Sequence, residues 1–124
     1  MGFIIFSSCN IIPFIMLVFG KVFMEHPPKK INGVYGYRTN MSMKNIETWK
    51  FAHEYCGRLW FKIGRALLIV SVAASFYLAP LGVNPQGAGI TILVLSQTAI
   101  LVASIFPTEK ALRERFDRNG NVKK

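Results

Sequence analysis

Acidic residues are scarce in this chain. Six Asp and Glu stand against fifteen Lys and Arg, for a formal net charge of +9. Charged residues of both signs make up only 17% of 124 positions, against roughly a quarter in soluble domains. Two cysteines are too few to staple a chain of this length into a disulfide scaffold. No H-E-x-x-H, G-x-S-x-G, P-loop or paired C-x-x-C pattern occurs, so neither an enzyme nor a cofactor is expected. His53 and Cys56 fall on one helix face, but a metal site needs three or four ligands, and none is expected here. What is plentiful is apolar bulk: 52% of residues are hydrophobic, which excludes a disordered chain. The length allows one domain, residues 1–124. Apolar bulk and surplus positive charge must be segregated along it, as in a small membrane protein.

Three apolar runs support that reading. Phe3 to Phe19 is free of charge, and its helix would rise about 26 Å against a hydrocarbon core of about 30 Å. Val22-Phe23-Met24 extend it past Lys21, which snorkels toward the headgroups. The second run, Ala66 to Ala79, follows Leu59-Trp60-Phe61, with Lys62 and Arg65 as an interfacial collar. The third, Gly87 to Phe106, is uncharged throughout, and Pro107 is expected to end it. Spans of about 3–24, 59–79 and 87–106 follow. A cleaved signal peptide would need a basic stretch before its apolar core and a small-residue cleavage site after it. The first run has neither and is taken as a retained helix.

Nine of the fifteen basic residues lie between Lys21 and Arg65, and the other six follow the third run. The first twenty residues and the 80–86 turn have none. By the positive-inside rule the loop 25–58 and the basic tail 107–124 are cytoplasmic, and the N-terminus lies outside a bacterial inner membrane. The charge then serves topology and attraction to anionic lipid, since no zinc-finger or helix-turn-helix pattern accompanies it to suggest direct nucleic-acid binding. In the tail, Thr108 is a candidate cap for a short helix with Ala111, Leu112 and Phe116 on its apolar side. That helix is expected along the membrane surface until Asn119-Gly120.

The loop carries the most information. Pro27-Pro28 stops the first helix. Gly33 and Gly36 permit tight turns among Asn32, Tyr35, Tyr37, Arg38 and Thr39. The tyrosines suit the headgroup region, where Arg38 would meet a phosphate or carboxylate. The plainer alternative is a structural turn with an anchoring arginine. Ser42 or Asn45 caps a following helix. Its apolar stripe of Ile46, Trp49, Ala52, His53, Cys56 and Trp60 predicts an interfacial amphipathic helix that bends at Gly57 into the second span. A continuous helix protruding from the membrane would leave Trp49 and Phe51 wet.

Asn32, then Gly36-Tyr37-Arg38-Thr39, then Ser42-Met43 and Trp49-x-x-Ala52 resemble the signature of the SdpI family of bacterial multi-pass membrane proteins. The resemblance covers roughly residues 15 to 106. Where the family often has asparagine after Ala52, this chain has His53. The resemblance implies that Asn32, Gly36, Tyr37, Arg38, Thr39, Ser42, Trp49 and Ala52 form the binding motif. It also implies immunity against a membrane-active peptide toxin, with signalling through a cytoplasmic transcriptional repressor held at the membrane. The alternative is a lipid-headgroup or envelope-stress scaffold with no toxin partner.

Inside the bilayer, Asn10 and Gln97 are the costly polar groups and should face other helices, one arrangement being a direct bond between them. Ser71, Ser75 and Ala79 give span two a small-residue face. Pro13 frees a carbonyl near Cys9 that needs a neighbour. Three helices are too thin for a transport path unless the chain forms a homo-oligomer. The expected fold class is an all-α membrane protein with three transmembrane helices and a cytoplasmic interfacial helix.

Overall fold

A computed structural model describes residues 2–123. Four helices follow in order: α1 (Gly2–Glu25), α2 (Ile46–Leu78), α3 (Val83–Ala103) and α4 (Ile105–Arg115). α1, α2 and the α3–α4 stretch are each long and apolar enough to cross a membrane. The molecule is an all-helical membrane protein.

α1 and α2 form the main pairing, and they approach through glycine. A Cβ on Gly20 would lie 2.8 Å from the Phe61 amide nitrogen, and one on Gly57 would lie 2.6 Å from the Gly20 carbonyl oxygen. Gly64 repeats the contact one step on, 3.0 Å from the Leu17 nitrogen. Gly57, Gly64, Ser71 and Leu78 are all buried, at a spacing of seven residues. Cys9, Met16 and Phe23 on α1 keep the same interval. A seven-residue repeat is the seam of two helices in a left-handed crossing. In hydrocarbon, where burial of apolar surface provides no drive, such close backbone contact holds helices together.

This explains the first departure from expectation. α2 does not bend at Gly57 out of a separate interfacial helix; it runs unbroken for 33 residues. That is about 50 Å, well beyond a hydrocarbon core of about 30 Å. The expected span 59–79 is therefore the C-terminal part of a longer helix. The amphipathic first turns, with Lys50, Glu54 and Arg58 exposed, project past the apolar layer. Gly57 lies inside the helix at its closest contact with α1.

The third span also shifts. α3 begins at Val83, ahead of the expected Gly87, because Pro85 falls in its first turn, where a missing N–H costs nothing. The Gln86 amide closes the preceding turn by donating to the Ala79 and Leu81 carbonyls at 2.9 and 2.5 Å. The helix breaks at Ser104, before Pro107, which lies in the first turn of α4. Proline at 107 has no N–H to offer the Ala103 carbonyl, so the ladder lapses one turn upstream. Trp60 Nε1 donates to Ser104 Oγ across this break at 2.9 Å.

Within the bundle, Asn10 and Gln97 do not bond each other. Asn10 Nδ2 donates to Ser75 Oγ at 3.1 Å and to the Phe6 carbonyl at 2.7 Å. Gln97 Nε2 donates to Ser71 Oγ at 2.5 Å and to the Cys9 carbonyl at 3.0 Å. The Cys9 carbonyl is the one Pro13 leaves without its helical donor. Two serines one turn apart on α2 thus take one amide each, and Gln97 repairs the defect in α1. Gln97 is the buried residue of α3; the rest of that helix is uncharged, and its exposed Thr91, Ser96 and Thr98 hydroxyls donate to the helix's own carbonyls, as suits a span facing lipid.

Candidate functional site

The segment between α1 and α2 folds against the projecting turns of α2 at the basic end of the molecule. Asn32 starts it: its Oδ1 accepts from the Val34 and Tyr35 amides at 2.9 and 2.7 Å, an Asx turn. The Arg38 guanidinium donates to the Gly33 carbonyl and closes the same turn from the other side. Arg38 thus has a backbone partner within the loop, besides any anionic group it could meet outside. Gly36 has φ +117°, a conformation that side chains rarely adopt. A Cβ there would lie 2.6 Å from His53 Nε2 and 3.2 Å from the Trp49 ring.

His53 is the latch. Its Nε2 accepts the Tyr37 backbone N–H at 2.9 Å, and its Nδ1 lies 2.7 Å from the Trp49 carbonyl. A backbone N–H only donates and a carbonyl only accepts, so the ring is neutral with its proton on Nδ1. Burial holds the His53 pKa below its usual 6.5, while the bond to the Trp49 carbonyl opposes that shift. Trp49, fully buried, donates from Nε1 to the Pro28 carbonyl at 2.7 Å and so fixes the start of the loop. Phe23 of α1 stands edge-on to the His53 ring at 4.9 Å, and Tyr35 packs on Phe23 at 5.8 Å.

The remaining motif residues complete the frame. Ser42 Oγ accepts from the Thr39 amide at 2.8 Å and donates to the Tyr37 carbonyl at 3.0 Å. Asn45 and Thr48 form a reciprocal capping box at the start of α2. Ala52 lies in a buried cluster with Tyr37, Cys56, Leu112 and Phe116. Burial, and then the charge of Glu109, raise the Tyr37 pKa far above 10. Burial likewise pushes the Cys56 thiol up to about 12, so it is inert as a nucleophile.

Two of those cluster members belong to the tail, which packs on α2 and the loop. Leu112 and Phe116 are 0% and 2% exposed because α4 continues past Ser104 alongside α2 and packs on its first turns and the loop. Thr39 Oγ1 donates to Glu109 Oε2 at 3.2 Å, and Asn45 Nδ2 donates to the Gly120 carbonyl at 2.8 Å. Thr108 does not cap this helix; it is buried inside it, donating to the Ser104 carbonyl at 3.0 Å. Tyr37, Ala52 and Cys56 offer the tail's apolar side a protein surface, which is why it docks there.

All eight motif residues therefore meet in one platform, and most of them are spent on holding it. What faces outward is the tip: Val34 is 90% exposed, Tyr35 40%, and Arg38 is exposed beside them. Sequence reasoning placed His53 on the right helix face without its role, and it missed Phe23 and Glu109. The only available hint was that His53 sits amid an otherwise apolar stripe.

Comparison with known proteins agrees with this picture. A 50-residue stretch is 40% identical to the uncharacterized protein YfhL of Bacillus subtilis (strain 168), covering 40% of this chain and 46% of that relative. The chain thus matches about half the length of that protein. No solved structure matches it. The family model for the SdpI/YfhL protein family matches residues 29–108, the stretch that holds the loop from Lys29 onward, α2 and α3. On that match and that motif, the chain belongs to the SdpI/YfhL protein family.

Proposed function

We propose that this membrane protein protects a bacterial cell membrane against a membrane-active peptide, and that its basic end lies in the cytoplasm and holds a regulator such as a transcriptional repressor. The orientation rests on the confinement of all fifteen Lys and Arg to the loop side of the three spans. The observation that carries the functional reading is the platform itself. An Asx turn, a histidine latch, a capping box and a docked tail hold a short tip that displays Val34, Tyr35 and Arg38. Val34, at 90% exposed, contributes little to packing, whereas a preorganised tip with an apolar residue and an arginine suits recognition of a protein partner.

The test is expression in a sensitive host challenged with membrane-active peptides, with membrane protein level measured beside survival. Wild-type protein should raise survival. Val34→Ser and Arg38→Lys should reduce it, or release the regulator, at unchanged protein level. Survival that never depends on the protein, for any peptide tried, would overturn the reading. A cysteine at Gly82 should react with an impermeant reagent from outside, and one at Asn40 should not.

A further inference from the structure

The face of the α1–α2 pair that α3 leaves open carries a furrow. At the basic end it widens to a chamber of about 660 Å³, within the usual range of ligand pockets. Its walls are apolar, Leu17 and Val18 from α1 and Phe61 from α2, and its mouth holds Lys21 and Arg65. Toward the opposite end, Phe14 and Leu68 line a second chamber of about 520 Å³. Phe61, Arg65 and Leu68 repeat at four and three residues, as do Phe14, Leu17 and Lys21. Each set is therefore one helical stripe, and the two chambers lie along the same face of the α1–α2 pair.

Arg65 is the anomaly. It lies six residues into the apolar stretch that begins at Leu59, about 9 Å deeper along the helix. A charge inside hydrocarbon is costly unless it reaches the interface or meets an opposite charge. Its guanidinium stands 4.9 Å over the Phe61 ring, one turn nearer the basic end, so the side chain runs toward the headgroup level where Lys21 lies. Of the other titratable groups at this mouth, Glu25 offsets one cation and His26 stands beside it. A positive charge is left over, set above an apolar slot that opens sideways to lipid.

We propose that this furrow binds one anionic phospholipid, its phosphate between Lys21 and Arg65 and an acyl chain along Leu17, Val18 and Phe61. A guanidinium and an ammonium suit a phosphate monoanion, and the slot receives the chain that such a headgroup brings with it. Arg58 and Lys62 lie on another face of α2, beside Tyr55 and Leu59, and take no part.

The experiment is native mass spectrometry of the full chain in detergent, titrated with dioleoyl phosphatidylglycerol or dioleoyl phosphatidylcholine. One phosphatidylglycerol should be retained per chain, at least tenfold more strongly than phosphatidylcholine. Lys21→Gln with Arg65→Gln should abolish the preference, whereas Arg58→Gln with Lys62→Gln should keep it. Val18→Trp, at a position that already faces outward, should fill the slot and expel the lipid with both cations intact. Equal retention of the two lipids would overturn the proposal. So would binding indifferent to the Lys21 and Arg65 changes, or a second copy of the chain occupying the furrow in place of lipid.

Discussion

Replacing Gln97 by leucine removes a buried polar link from α3 to both α1 and α2. Its Nε2 serves two acceptors, Ser71 Oγ at 2.5 Å and the Cys9 carbonyl at 3.0 Å. Hydrogen bonds between helices in membranes average about 0.6 kcal/mol and reach about 1.7. The Cys9 carbonyl adds more, because Pro13 gives it no helical donor and an unpaired backbone group in hydrocarbon costs several kcal/mol before relaxation. Gln97→Leu should therefore destabilise the fold by about 2–3 kcal/mol, beyond what a side-chain bond alone would explain. The cause is separable. Pro13→Ala restores an N–H to the Cys9 carbonyl, so in that background Gln97→Leu should cost at least about 1 kcal/mol less. The assay is reversible unfolding in mixed micelles of rising dodecyl sulfate content, followed by helical circular dichroism, for the four members of the cycle. Equal costs of Gln97→Leu with and without Pro13 would refute the argument that glutamine repairs the proline defect.

The two glycines of the loop should behave oppositely. Gly36→Ala strains a backbone at φ +117° and pushes a Cβ to 2.6 Å from His53 Nε2, so strain of about 1–3 kcal/mol adds to a broken buried bond of similar worth. Gly33→Ala meets nothing within 4 Å and should stay within about 0.5 kcal/mol; equal thermal midpoints for the two variants would sink the latch geometry. Stability should also fall with acidification. The folded state holds His53 neutral with a pKa below 6.5, so the unfolded chain binds the extra proton first, and stability present above pH 6.5 is lost as pH drops toward the folded value. Thermal midpoints at pH 7.5 and 5.5 should differ less in His53→Gln than in the wild type, and an unchanged gap would assign the pH effect to other groups.

Much of this protein is legible along the chain because hydrocarbon is a demanding solvent. It tolerates neither charge nor unpaired backbone, so three uncharged runs and fifteen one-sided cations already imply three helices and a basic end. Proline chemistry is local as well: the need of the Cys9 carbonyl for a neighbour follows from Pro13 alone. The motif residues, too, stand out by type and spacing. Which groups meet is another matter, since partner choice depends on helix rotation and depth. Asn10 and Gln97 look equivalent in sequence, yet the crossing set by Gly20, Gly57 and Gly64 brings α2 serines to each of them and keeps the amides apart. The same close crossing turns Gly57 from an expected hinge into a contact. His53 became a latch, and the tail a lid on Tyr37 and Ala52, only when loop, helix and tail were packed together. Local sequence specifies what each segment must bury or pair, and the geometry of packing decides with what.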